Sequence, residues 1–134
     1  MRIPVILIPL GLIGLSLAAC RSDETISAYG AADIEWQLTE MDDQPFAATA
    51  TLYFPEPGRI AGTAPCNTYS ATMDAPYPWF DAQQLSLTRM ACNDLTIEHR
   101  FLQALQDMTL SEVSAGTLIL SNVTGREMVF TAAE

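Results

Sequence analysis

One stretch of this chain, from Asp94 to Met108, departs from the two-residue hydrophobic rhythm around it. Apolar residues fall there at Ile97, Phe101, Leu102, Leu105 and Met108, the spacing of an amphipathic helix, and Asn93 or Asp94 stands where a cap for its first amides belongs. A helix with an apolar stripe must bury it. With no second helix in the pattern, the receiving surface has to be a sheet.

The rest of the chain supplies that sheet. Ile34, Trp36 and Leu38 alternate with Glu35, Gln37 and Thr39, as in a strand with one buried face. Ala48 to Phe54 repeats the alternation, with Leu52 and Phe54 on one side and Thr49, Thr51 and Tyr53 on the other. The run PEPG then marks a turn, and RIAGT from Arg59 reads as the return strand of a hairpin. Further short strands are expected over Asn67–Met73, Leu85–Leu87, Thr117–Ser121 and Glu127–Thr131, punctuated by Ala115-Gly116 and Thr124-Gly125. The fold class is therefore α+β and mainly antiparallel β. The expected form is a curved sheet or small open barrel of about 7–8 strands, packed with one amphipathic helix through Ile97, Phe101 and Leu105.

The first twenty residues bear on location rather than fold. Met1-Arg2 is a short positive start, and Ile3 to Leu17 is apolar but for Ser16 and is broken by Pro4, Pro9, Gly11 and Gly14, the build of an export signal. A membrane-spanning helix is the alternative, but the roughly 20 uninterrupted residues it needs are barely reached. Leu17-Ala18-Ala19-Cys20 resembles the bacterial lipobox, in which the cysteine receives diacylglycerol and the signal is cut before it. These features predict a lipoprotein signal peptide over 1–19, a lipidated flexible tether over 20–32 and one folded domain over 33–134. Arg21 stands where the inner-membrane retention signal of enteric bacteria would have Asp. The expected address is the cell envelope, anchored through Cys20 to the outer membrane and facing the periplasm. A tether of twelve extended residues would let the domain stand about 40 Å from the lipid.

Charge narrows the partners. The chain carries six arginines, no lysine and sixteen acids, for a net charge of −10. Cleavage before Cys20 leaves 115 residues with five arginines against sixteen acids, a balance of −11. Such a surface repels phosphate backbones, so nucleic acid is not an expected partner.

With Cys20 assigned to lipid, Cys66 and Cys92 remain, and an oxidising compartment favours their pairing. The bond would close a loop of about 27 residues, worth roughly 3.5 kcal/mol in the chain-entropy model. Free structural thiols are the alternative. A nucleophilic cysteine would need His99 as its base, and a zinc site would need more ligands than these two cysteines and one distant histidine. His99 lies off the apolar stripe, the many acids read as a solvated surface, and no nucleophile elbow or phosphate loop is present. No catalytic residue, metal or cofactor is expected.

The residues also carry a family resemblance. Trp36-x-Leu38, RIAGTAPCNTYSA from Arg59 to Ala71, LTRMAC from Leu87 to Cys92, the helix with Phe101-Leu102 and Leu105, and the closing TLIL and MVF resemble the META domain of HslJ-type heat-shock lipoproteins. The similarity covers about residues 33 to 131. Its two cores, G-x-x-x-C-N-x-Y and T-x-M-x-C, place the family signature on Cys66, Asn67, Tyr69, Thr88, Met90 and Cys92. One departure is Ala71, where the family often has Gly. The resemblance implies a compact antiparallel β fold with a helix, an envelope location and a role in stress or antibiotic tolerance, without an enzyme activity. Asn67, Tyr69, Thr88 and Met90 are accordingly either shapers of the fold beside the bridge or the lining of a ligand cleft.

Three functions fit these expectations. The first is a non-enzymatic binding or scaffold module with an envelope protein as partner. The second is an inhibitor of a basic hydrolase such as lysozyme, drawn in by the acidic surface. The third is a carrier of an apolar ligand.

Overall fold

The computed structural model describes residues 22–133, together with Pro4. The expected signal peptide and the lipidation site Cys20 lie outside the described residues. No described helix is long and apolar enough to cross a membrane.

Among the described residues, nine strands and one α-helix make up the domain. Strands β1 (Trp36–Met41), β2 (Gln44–Pro45), β3 (Thr51–Leu52), β7 (Leu110–Ser114), β8 (Thr117–Ser121) and β9 (Glu127–Ala132) form one sheet, ordered β2-β1-β9-β8-β7 with β3 also on β1. Strands β4 (Gly58–Thr63), β5 (Thr68–Met73) and β6 (Gln83–Leu87) form a second, ordered β4-β5-β6. All pairings are antiparallel. The architecture is α+β as expected, but the single curved sheet resolves into two that do not close into a barrel. An isolated bridge from Tyr53 to Ala61 ties the end of β3 to β4, and another from Trp79 to Leu110 ties the β5–β6 connection to β7. The first is the PEPG hairpin, with backbone bonds of 2.8 and 3.0 Å between Tyr53 and Ala61.

Helix α1 spans Leu95–Asp107, and the expected stripe is buried at Phe101, Leu102, Leu105 and Met108 but not at Ile97. Phe101, Leu102, Ala104 and Leu105 are buried, and so is Glu98, whereas Ile97 is only half-buried. Asp94 occupies the cap position without a side-chain bond to the helix. A cap is worth about 1 kcal/mol, and each fully buried Phe or Leu contributes about 1.5–3 kcal/mol. The stripe therefore holds the helix. Phe101 packs its ring edge-on to Tyr69 of β5 at 5.6 Å between centroids. Trp36, Leu118, Leu120, Met128 and Phe130 complete the core from the larger sheet.

Two strands lie outside the expected set, β2 and β7. The β1–β2 turn is made by Asp42 and Asp43 at φ 52° and 62°, the left-handed conformation that a two-residue hairpin requires and that Asp tolerates better than most residues. At the β8–β9 turn, the Asn122 side chain accepts from the backbone amides of Thr124 and Arg126 at 3.1 and 3.0 Å.

The tether expectation needs correction. Residues 26–29 form a 3-10 turn, and Ile26 and Ala31 are fully buried. The Trp36 indole donates to the Ala31 carbonyl at 3.1 Å, the Tyr77 amide donates to the Glu24 carbonyl at 2.8 Å, and Tyr29 stacks on Tyr77 at 4.5 Å. The composition of this segment is polar, but Ile26 and Tyr29 supply enough apolar area to dock it.

Candidate functional site

The two signature segments meet at the entrance to α1. Cys66 and Cys92 are disulfide-bonded with Cα atoms 5.9 Å apart, inside the ordinary range for a bridge. Their sulfurs are therefore not available as a nucleophile or as thiolate ligands. The bridge joins the β4–β5 connection to the segment that leads into α1.

Asn67, beside the bridge, is buried and uses every polar atom it has. Its backbone amide donates to one oxygen of Glu98 at 2.8 Å and its side-chain nitrogen to the other at 2.9 Å. Its side-chain oxygen accepts from the Met90 amide at 2.6 Å and the Thr88 hydroxyl at 3.0 Å. That arrangement sets the orientation of the amide, because Met90 N–H needs an acceptor and Glu98 needs donors. Thr88 Oγ1 in turn accepts from the Thr68 amide at 3.1 Å. Asn67 thus ties β5, the 88–90 segment and α1 together.

Tyr69 is also committed internally. Its hydroxyl donates to the Thr51 carbonyl at 2.6 Å. Burial, with a smaller contribution from Tyr53, pushes its phenol well above the ordinary value. Gly62 lies opposite Tyr69 in the β4–β5 ladder, and a Cβ there would stand 2.0 Å from the Thr51 carbonyl oxygen and 2.8 Å from the Tyr69 hydroxyl. Only glycine fits. Ala71, the departure from the family pattern, is a buried strand residue of β5 without unusual backbone geometry.

The signature residues divide accordingly. Asn67 and Tyr69 are interior, while Thr88 and Met90 reach the surface, Met90 with 66% of its area exposed. Met90 and the exposed His99 border a shallow hollow of about 300 Å3. Sequence reasoning did not single out Glu98. It lies three and four residues before Phe101 and Leu102, so a carboxyl on the stripe itself was the available signal.

A larger open surface than this hollow is the outer face of the β4-β5-β6 sheet, a groove of about 600 Å3. Register lines up Ala61, Ser70 and Ser86 in one row, with Tyr53 beyond Ala61, and pairs Thr63 with Thr68 in the next. Among the described residues, no charged side chain lines the groove. Among the described residues, no three His, Cys, Asp or Glu side chains come together as a metal site would need.

Comparison with known proteins follows the same lines. A protein from Burkholderia xenovorans, solved by NMR, superposes with a TM-score of 0.62 at 22% identity, over 80% of this chain and 86% of that one. A crystal structure of a DUF4847 family protein from Bacteroides vulgatus gives 0.61 at 12% identity, over 78% and 95%. At these identities the likeness concerns the fold alone. No curated protein matches. The META domain family model matches residues 31–134, and the chain belongs to the META domain family.

Proposed function

We propose that this chain is a lipid-anchored, non-enzymatic module of the bacterial cell envelope that serves stress or antibiotic tolerance by binding an envelope component. One observation carries the binding part of the reading. The polar signature residues are spent on internal bonds, whereas the groove over β4-β5-β6 is open. The hydroxyls of Thr63, Thr68, Ser70 and Ser86 and the ring of Tyr53 suit a neutral partner rich in hydroxyl or amide groups. The lipobox resemblance at Cys20 and the resemblance to HslJ-type lipoproteins support the location and the stress association. The apolar-carrier alternative is less favoured, because Trp36, Phe101 and Phe130 fill the interior it would use.

A strain deleted for this gene, challenged with heat and envelope-active antibiotics, tests the reading. Reduced tolerance restored by the wild-type chain, but not by a folded Ser70→Arg variant, supports it. Unchanged tolerance on deletion removes it.

A second reading, inhibition of a basic hydrolase such as lysozyme, draws on the surface charge. Apart from buried Glu98 and half-buried Asp23 and Glu127, every described acidic side chain is exposed. Such a surface steers a cationic enzyme toward it at low salt. Lysozyme activity unchanged by the purified chain at low ionic strength eliminates it.

A further inference from the structure

We propose that Trp79, Tyr29 and the flanking Pro76 and Pro78 form a membrane-facing surface that seats the domain on the headgroup layer of a phospholipid bilayer. The inference rests on lipidation of Cys20 and goes beyond it, since an anchor alone leaves the orientation of the domain open.

The reach of the chain is the first ground. The Glu24 carbonyl is held by the Tyr77 amide at 2.8 Å, and Ser22 to Thr25 line a groove with Pro57, Gly58, Asp74 and Pro76. Only three residues lie between Cys20 and Glu24, and the four Cα–Cα steps span at most about 14 Å. A lipid on Cys20 therefore holds the Tyr77 segment close to the bilayer surface, not at the end of a long tether. What lies on that segment must meet the headgroups.

What lies there is aromatic and exposed. Tyr29 stacks on Tyr77 within 15° of parallel, yet keeps 53% of its surface open, and Trp79, two residues beyond Tyr77, keeps 57%. Trp79 is not on a loose loop. The Pro78 carbonyl accepts from the Ser111 amide at 2.8 Å, and the Phe80 amide donates to the Thr109 carbonyl at 2.9 Å, so the backbone is fixed on both sides by β7 and the residue before it. Phe80 is buried in the core, which leaves Trp79 directed outward. Pro76 and Pro78 are also exposed. A rigid, outward Trp with a neighbouring Tyr suits the interface between water and acyl chains, where the ring is buried and its polar atom stays wet. Asp23, Glu24, Asp74 and Asp81 flank the patch in sequence, so the fitting surface is zwitterionic rather than anionic.

The two tryptophans make the test direct, because Trp36 is fully buried and Trp79 is open. Lipidated protein, its modification verified by intact mass, is reconstituted into phosphatidylcholine vesicles carrying a spin label at the 5-position of the acyl chain. The expected result is loss of most of the Trp79 emission, less loss with the label at the 12-position, and no quenching in Trp79→Phe. An unmodified mass removes the anchor reading and this one with it. Lipidated protein that floats with the vesicles but keeps its Trp79 emission overturns the docking surface while the anchor stands. A chain without lipid that sediments as a dimer, and as a monomer in Trp79→Ala, assigns the patch to a second copy and overturns it as well.

Discussion

Glu98 receives two hydrogen bonds from Asn67, one from its backbone amide and one from its side-chain nitrogen, at 2.8 and 2.9 Å. The carboxyl group is fully buried and sits on the core-facing side of α1. The helix is therefore held to the β4-β5-β6 sheet by a polar lock at its first turn and by Phe101 and Leu105 further along. Apolar packing tolerates a slip of the helix. Two directed bonds to one residue do not, so the pair sets the register of the helix against the sheet.

Removing either partner leaves the other buried without its bonds, at about 1–3 kcal/mol for each unsatisfied group. Glu98→Ala and Asn67→Ala are each expected to destabilise the fold by about 3 kcal/mol. The double variant should cost markedly less than the two together, with a coupling of about 0.5–3 kcal/mol, because both substitutions remove the same bonds. Urea unfolding of the four proteins measures it. Additive costs would mean that Asn67 stabilises the fold through Thr88 and Met90 alone.

The strand alternation and the single change of period in the sequence were enough to assign the fold class, since both follow from burial of one face, but not the division into two sheets. Cys66 and Cys92 were legible because the export-signal pattern implies an oxidising compartment, in which two such thiols tend to pair. Glu98 was not, because a lone acid among sixteen is normally solvated; its role depends on Asn67, which approaches only in the folded chain. The docking of residues 24–31 was hidden for a similar reason. Its contacts to Tyr77 and Trp36 are local in space and distant from anything the tether composition suggests. Strand β7 was missed because LSEVS alternates too weakly, and its pairing comes from β8 through the turn at Ala115 and Gly116.

Reduction of the Cys66–Cys92 bridge is expected to lower stability by about 3.5 kcal/mol, the closure entropy returned to the unfolded chain. The bridge and Asn67 clamp the same two segments, so their effects should not be independent. Asn67→Ala is expected to cost less in the reduced protein than in the oxidised one, because the reduced segments are already freer to separate. Equal costs in both states would place the action of the bridge wholly in the unfolded chain.

Gly62→Ala should be more damaging than its size suggests. The added methyl meets the Thr51 carbonyl at 2.0 Å, and a backbone atom in a bridged segment cannot move aside. Overpacking of this kind costs about 1–3 kcal/mol or more. Tyr69→Phe in the Gly62→Ala background relieves the second clash, with the Tyr69 hydroxyl, but not the first, so it should not restore stability. Thermal unfolding of the single and double variants decides this, and full rescue would show that the hydroxyl, not the carbonyl, is the obstacle.

Asp42 links the β1–β2 turn to β9. Its carboxylate accepts from the Arg126 guanidinium at 2.9 Å and from the Glu127 amide at 3.2 Å. The Arg126 hydrogen bond holds the Asp42 pKa below its ordinary value of 3.8, against the opposing effect of partial burial. A lowered folded pKa means that the unfolded chain binds the proton first on acidification. The contribution is thus complete above about pH 4 and is lost as pH falls through the folded value. With 41% of the Asp42 side chain exposed, solvent screens the pair and its worth stays below about 1 kcal/mol. Asp42→Asn is the informative variant, since Asn tolerates the left-handed backbone at φ 52°. Denaturant unfolding should show a small, salt-sensitive deficit at pH 7 that shrinks below pH 4, and a deficit that grows on acidification would place the acid-sensitive carboxylate elsewhere.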